Sequence, residues 1–405
     1  MKRVYLDYAS LTPVDKRVER VVSEYAKAER AGVYANPSSI YSAGIEAKKV
    51  LEASRAGVAK FLNAHADEII FTSGGTESNG LALEGAGRAA RRAGNEKPHI
   101  IISAIEHSSI IEIAAMMEKH GCEVTRLAVD HSGMVSLDEL KKSIKPNTFM
   151  VSIMTANNEI GVIQPLREIA KIIRHARANI TKSAYPLFHT DAAQAALYYE
   201  LNAEKIGADL ITLDSIKVYG PRGTGALYVK RGTPIEQIMY GGGQENGLRS
   251  GTENVAAAAG FAKALEIAGE ERQTETVRIV GLRDYFIEQL KTRFSALKIH
   301  GAYAAGDIEK RLANNINVTL AGEEKTGITK TDIDHEFFLL QLDVRGVMCS
   351  TKSACLRDED ESYVLRALKN AVQKTPQALR FSLGRFTKKR DIDYALKMID
   401  DIVAL

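Results

Sequence analysis

Three cysteines in 405 residues are too few for a disulfide framework, so the expected setting is a reducing one, the cytoplasm. Chemistry at a cysteine here then concerns thiol reactivity. Long apolar runs are missing as well. The opening Met-Lys-Arg-Val-Tyr-Leu-Asp holds none long enough for a signal peptide, and no stretch approaches the roughly 20 apolar residues that cross a bilayer, so no membrane partner is expected. An excess of one charge is also absent. The net charge is +3, with 54 Lys and Arg interleaved among 51 Asp and Glu, which argues against direct nucleic-acid binding because such proteins carry a basic face. What remains is the composition of a globular protein, 45% hydrophobic and 26% charged, of a length that suggests two domains.

The first 270 residues alternate β-rich runs with helical patterns. Strands are expected at 68–72, 99–103, 122–129, 149–154, 187–190, 210–213 and 225–229, with helices at about 76–92 and 108–120 among them. Such alternation means βαβ units and a mostly parallel, doubly wound sheet covered on both faces. Thr12-Pro13 reads as a helix start, with Val14, Val18, Val21 and Tyr25 on one face of the helix. After about residue 260 the pattern changes to a long helical stretch from Val255 towards Lys298. Isolated strands follow at 315–320 and 378–383, and a last helix at about 389–403, which suits a smaller α+β domain.

Several residues stand out chemically. Phe71-Thr-Ser-Gly-Gly-Thr-Glu-Ser78 is a strand end, a glycine pair and a helix start, which fits either an anion cradle or a plain tight turn. Asp191 follows an apolar strand and fits either a helix N-cap or a carboxylate facing the ligand crevice of an α/β sheet. Lys217 lies just beyond the strand at 210–213, between Ile216 and Val218 and ahead of Gly220-Pro221. A lysine held in a cleft there can form a Schiff base. Pyridoxal 5'-phosphate (PLP) needs such a lysine, an acidic partner for its ring nitrogen and a phosphate cradle. All three are present.

Read in order, Tyr5-Leu-Asp-Tyr-Ala9, Asn36-Pro-Ser-Ser39, Phe71–Asn79, Glu106-His107, Asn157-Asn-Glu-Ile-Gly161, His189–Gln194, Lys217-Val-Tyr-Gly-Pro221, Gly241–Glu245, Arg249-Ser-Gly-Thr252, Ser353-Ala-Cys355, Ser362–Leu368 and Arg380–Arg385 resemble the cysteine desulfurases. These enzymes belong to the class V aminotransferase group and serve iron–sulfur cluster assembly and tRNA thiolation. The resemblance covers nearly the whole chain. It implies a fold-type-I PLP-dependent transferase, with a large domain at 14–260 and a small domain built from 1–13 and 261–405. It also implies a homodimer with its active sites at the subunit interface. The implied reaction takes sulfur from L-cysteine, leaves L-alanine, and passes the sulfur through a persulfide to an acceptor protein, an iron–sulfur scaffold or a tRNA-thiolation relay. Selenocysteine lyase or aminotransferase chemistry on the same scaffold, or a weakly active assembly module, are the alternative readings.

By resemblance Lys217 binds the cofactor covalently, Asp191 pairs with the ring nitrogen, His107 stacks on the ring, and Gln194 bonds the ring oxygen. Gly75 and Thr76 form the phosphate cradle and Thr252 reaches it from the second subunit, while Ser215, where the family has Gly, and Arg222 are candidate compensators for the altered lysine motif described below. Asn36, Asn157 and Arg380 bind substrate, for whose carboxylate a guanidinium fork is well shaped. Cys355 receives the sulfur on a polar loop, whereas Cys122 and Cys349 read as buried and structural. No metal site is expected. The chain departs from the family at the lysine motif, where Ser and His that contact the phosphate are replaced by Asp214 and Ile216. A carboxylate about 5 Å from a phosphate, at an effective dielectric near 20, costs roughly 3 kcal/mol per unit charge, so a weakened hold on the cofactor is expected. Lys352 stands where the family usually has Gly; a cation there would lower the Cys355 pKa and the acidic run after Cys355 would raise it.

Overall fold

The computed structural model describes residues 2–27, 34–320, 335–351, 362–368 and 378–404. Its strands are β1 (Val4–Tyr5), β2 (Ile69–Thr72), β3 (His99–Ser103), β4 (Glu123–Leu127), β5 (Thr148–Ser152), β6 (Leu187–Asp191), β7 (Leu210–Asp214) and β8 (Gly225–Val229), then β9 (Lys298–Ile299), β10 (Asn315–Thr319), β11 (Val347–Met348) and β12 (Leu379–Ser382). Seven of them form one sheet in the order β2-β8-β7-β6-β5-β3-β4. All pairings from β7 to β4 are parallel, and only β8 runs against its neighbours.

The strands are apolar on both faces because both faces are covered. Ile100 and Ile102 enter one core with Leu81, Met117 and Phe149, while Ile101 between them enters the opposite core with Val151, Phe188 and Leu213. That is the period of two expressed in a buried parallel strand. Helices Ser108–Lys119, Leu137–Ser143 and Leu166–Ala176 lie between successive strands and supply the covering layers.

A further core gathers Val4 and Leu6 with residues from Ile279 to Leu290, Ile316, Val318, Phe338, Phe381 and Ile399. It is built on the antiparallel trio β12-β10-β9 and the parallel pair β1-β11. Helix Val255–Arg293 joins the two regions, its first turns packing into the main core through Phe261 and Leu265. The last helix, Lys389–Val403, runs over the expected span and buries Ile392, Leu396 and Ile399.

Two local expectations are corrected. The first helix is Lys16–Ala26 and its cap is Asp15, whose Oδ1 accepts from the Arg17 N–H at 2.8 Å; Val14 lies outside the helix and is exposed. Thr12 is spent elsewhere, its hydroxyl donating to the Ile216 carbonyl at 2.8 Å and accepting from the Tyr219 N–H at 2.7 Å. Cys122 and Cys349 sit at strand ends. Cys122 precedes β4, is buried, and donates to the Pro98 carbonyl at 2.9 Å, and burial pushes its thiol up to about 11.

A buried ion pair ties the main sheet to a loop that matters below. Arg55, on helix Ser42–Leu62, meets Glu245 at 2.6 and 2.9 Å, and Glu245 also accepts from the Phe71 N–H at 2.7 Å. Burial opposes the Arg55 charge, and the Glu245 hydrogen bonds outweigh it, so its pKa is raised. Removing one partner strands the other, so Glu245→Gln or Arg55→Met is expected to lower unfolding free energy by about 3–5 kcal/mol. The double variant Arg55→Met, Glu245→Leu should recover much of that in denaturant titrations, and a loss equal to the sum of the singles would show no coupling.

Candidate active site

The cradle begins where β2 ends. After Thr72 the chain passes Gly74 at φ 150° and enters helix Gly75–Gly80, which continues without a break through a π-turn, Leu81–Gly85, into Ala86–Arg92. Close backbone approach requires the glycines: a Cβ on Gly225 of β8 would lie 2.7 Å from the Gly74 Cα. Gly75 is buried and Thr76 is exposed, so the N-terminal turn presents Thr76 outward. Glu77 in the same turn accepts from the Ser73 N–H at 2.7 Å and from Arg249 Nε at 2.9 Å. This pair ties the segment carrying Thr252 to the cradle helix. Thr252 itself is exposed and lines a cavity of about 200 Å³ with Thr72, Glu245 and Arg249.

The lysine turn follows β7. Asp214 closes the strand, Ser215–Lys217 makes one 3₁₀ turn, and Asp214 Oδ1 caps it by accepting from the Ile216 N–H at 3.2 Å. Tyr219 then takes a left-handed backbone, φ 63°, held by its N–H to Thr12 and by its hydroxyl, which accepts from the Arg385 N–H at 2.7 Å. The Ser215 side chain is fully buried under the turn, where a Cβ on Gly220 would fall 2.1 Å from its Oγ, and that hydroxyl has no hydrogen-bond partner among the described residues. A 3₁₀ turn steps about 120° per residue, which carries Ser215 inward as Lys217 swings out.

Lys217 Nζ donates to the Ala9 and Ser10 carbonyls at 2.9 and 2.7 Å. Gln194 Nε2 donates to the same Ala9 carbonyl at 2.9 Å. Ser10 Oγ accepts from Arg380 Nη2 at 3.0 Å, as does Asp7 Oδ1 at 2.9 Å. Residues 7–10 are therefore the meeting point of Lys217, Gln194 and Arg380.

Asp191, at the C-terminal end of β6, is the hub of a second network. Its Oδ1 accepts from the Ala193 N–H at 2.9 Å, which is the cap reading, and its Oδ2 accepts from Asn79 Nδ2 at 2.8 Å. Asn79 also donates to Ser109 Oγ at 2.8 Å, and that oxygen lies 2.9 Å from His107 Nδ1. His107 caps helix Ser108–Lys119, its Nδ1 accepting from the Ser109 N–H at 3.2 Å, which places the ring proton on Nε2 when the imidazole is neutral. Sequence reasoning assigned no role to Asn79, Ser109 or Glu106. Glu106 is fully buried, accepts from Ser103 Oγ and the Met154 N–H, and burial pushes its carboxyl up to about 8. Its signal was adjacency to His107, and that of Asn79 was one helical turn from Thr76.

Beneath Asp191, His189 is fully buried between Ser152 Oγ at 2.8 Å and Thr212 Oγ1 at 3.1 Å, and burial holds it at about 4, against the pull of Asp191. A folded-state value below the unfolded one, near 6.5, means that the unfolded chain binds the extra proton between them. Stability is therefore expected to fall as pH drops from about 6.5 towards 4, by up to about 3 kcal/mol from this group. His189→Asn should flatten that part of the pH profile of guanidinium unfolding, and an unchanged slope would refute the assignment.

The expected substrate residues fare unevenly. Arg380 is 1% exposed, with Nη1 on the Asn158 carbonyl at 3.0 Å and Nε buried without a partner among the described residues. Asn157 is fully buried and committed to its own turn: its Oδ1 accepts from the Glu159 and Ile160 N–H groups and its Nδ2 donates to the Ile105 carbonyl. Asn36 is exposed, and its Oδ1 accepts from the Ser38 N–H at 2.9 Å. Within the chain these two side chains serve local backbone, a use that spacing does not reveal. Cys349 is half-buried, and burial, with Asp7 adding, pushes its thiol up. Lys352, Ser353 and Cys355 lie outside the described residues. Among the described residues no cluster of metal-ligating side chains is found.

A lysine at the end of one parallel strand, a buried carboxylate at the end of the next and an adjacent helix N-terminus define a cofactor-dependent enzyme of the aminotransferase class. The profile of the family Aminotransferase class-V matches residues 4–395. The chain is 41% identical to cysteine desulfurase IscS of Dictyoglomus turgidum, over all of this chain and 95% of that one, and 40% identical to IscS 1 of Archaeoglobus fulgidus, over 98% and 96%. A solved structure described as a NifS-like protein superposes with a TM-score of 0.86 at 32% identity over the full length of both chains. DndA from Streptomyces lividans gives 0.72 at 32%, over 93% of this chain and 99% of that one. The chain belongs to the cysteine desulfurases of the class-V aminotransferase family, which depend on PLP. The donor set fits that cofactor: Asp191 is a buried acceptor for a protonated ring nitrogen, Lys217 is an amine, and the Gly75–Thr76 turn is an anion receptor.

Proposed function

We propose that the protein takes sulfur from L-cysteine, leaves L-alanine, and hands the sulfur on through Cys355 to an acceptor protein. The observation that carries this is the convergence of Lys217, Gln194 and Arg380 on residues 7–10, with the Asp191–Asn79–Ser109–His107 chain on the neighbouring strand. Bound PLP supplies an electron-accepting ring. Asp191 keeps a proton on the ring nitrogen, and Asn79 holds Asp191 in place. Arg380 holds the substrate carboxylate. Lys217 Nζ takes the Cα proton of the substrate and later returns it. His107, fixed by Ser109, would pack against the ring of bound PLP. The thiolate of Cys355 attacks the substrate sulfur as the Cβ–S bond breaks; the bonding pair goes to Cβ, which takes up the proton released by the substrate thiol, and the sulfur stays on Cys355 as a persulfide. The test is release of alanine, and of sulfide with a reductant present, from L-cysteine. Absence of both in PLP-loaded protein would refute the reading.

The separateness of the core around Val4, Leu6 and Ile279–Leu290 from the two cores on the faces of the main sheet supports a large domain over 14–260 and a small one over 1–13 and 261–405, joined by helix Val255–Arg293. Homodimer formation is supported by large apolar side chains left uncovered in the single chain, Ile40 at 94% exposed and Tyr240 at 72%. Sedimentation should give one symmetric dimer, and Thr252→Val should weaken cofactor retention if Thr252 reaches across. A monomer retaining full activity would rule this out. No described helix is long and apolar enough to cross a membrane, and the scarcity of cysteine supports a cytoplasmic setting, with an iron–sulfur scaffold or tRNA-thiolation relay as acceptor.

A further inference from the structure

Asp214 sits on the anion receptor. It ends β7, and its side chain turns towards the start of the helix that runs from Gly75 to Arg92. The Gly75 backbone N–H stands beside the Asp214 carboxylate and favours its charged form, and a Cβ on Gly75 would lie 3.1 Å from Asp214 Oδ2. Oδ1 meanwhile accepts from the Ile216 N–H at 3.2 Å, so the carboxylate bridges the lysine turn and the cradle. The Gly75 N–H is also the donor that a cofactor phosphate needs. One N–H cannot serve two anions at full strength, and a carboxylate beside a phosphate dianion in a part-buried site is repelled.

Charges of both signs face Asp214. Lys217 on its own turn favours the carboxylate, and Asp191 at the end of β6 disfavours it. On the cradle helix the nearest charge is Glu77, already paired with Arg249. Burial, the largest influence, pushes the Asp214 carboxyl upward, against the Lys217 charge and the Ile216 and Gly75 N–H groups.

We propose that Asp214 is a proton-coupled latch on the phosphate cradle. In the cofactor-free protein its carboxylate caps the Gly75 amide. When the phosphate takes that amide, the carboxylate takes one proton from solvent and donates it as a hydrogen bond to a phosphate oxygen. No covalent bond forms or breaks except O–H on Asp214. Cofactor loading is thereby linked to the uptake of one proton and favoured by mild acid. This rests on reading Gly75 and Thr76 as the phosphate cradle.

The test is calorimetric titration with pyridoxamine 5'-phosphate, which has no aldehyde to couple to Lys217. It is run at about pH 8, where the phosphate is a dianion, in two buffers of different ionisation enthalpy. Wild-type protein should take up about one proton more per ligand than Asp214→Asn or Asp214→Ser. Relative to either variant, its affinity should weaken about tenfold per pH unit above the titration of the carboxyl. Equal proton counts and parallel pH profiles, with Thr76→Val weakening binding, would overturn the latch and leave the cradle standing. Thr76→Val without effect would overturn the cradle, and the latch with it.

Discussion

Lys217→Ala protein should fold, purify colourless or hold PLP only loosely, and release alanine from L-cysteine at least about 10³-fold more slowly than wild type. Two contributions add to the loss. The amine that binds the cofactor covalently is gone, and so is the base that moves the Cα proton. The turn itself should survive, because the Lys217 bonds to the Ala9 and Ser10 carbonyls come from its side chain, while Thr12, Tyr219 and Asp214 hold the backbone. Visible spectra before and after dialysis, with circular dichroism to confirm folding, are the measurements. Retention of a visible band through exhaustive dialysis, with turnover near wild type, would place the cofactor on another lysine.

Cys355→Ser should separate binding from turnover. The variant is expected to bind PLP and L-cysteine with little change, yet to release alanine at least about 10²-fold more slowly, since no thiolate accepts the sulfur. Cys349→Ser should keep most of its activity, because burial pushes the Cys349 thiol up and disfavours the nucleophilic thiolate. Cys122, buried against the Pro98 carbonyl, is similarly unsuited. Mass spectrometry after brief exposure to L-cysteine should find the added sulfur on the peptide containing Cys355. Sulfur on Cys349, or full turnover by Cys355→Ser, would reopen the lyase reading, in which no protein thiol takes part.

Features with short-range causes were legible in the sequence. The apolar run at 99–103, bounded by polar residues, could be little other than a strand covered on both faces, and the stripe Ile392, Leu396, Ile399 marked the last helix. Lys217 could be singled out as a candidate because it falls between a strand and a Gly-Pro turn. Tertiary structure decided what depends on which elements become neighbours. The order β2-β8-β7 brings the Gly74 loop against Gly225 and Asp214, which is why a departure that looked merely unfavourable in the sequence becomes a specific contact with Gly75. Thr12 looks like a helix cap locally. It is claimed by the lysine turn 204 positions away because Asp15 caps the helix instead. The carbonyls that hold Lys217 lie 208 and 207 positions before it, and Asn79 reaches Asp191 across 112. Periodicity and propensity act over a few residues and so fix element types. Hydrogen bonds between distant segments are chosen by the packing of the whole sheet, and those bonds turn separate motifs into a site.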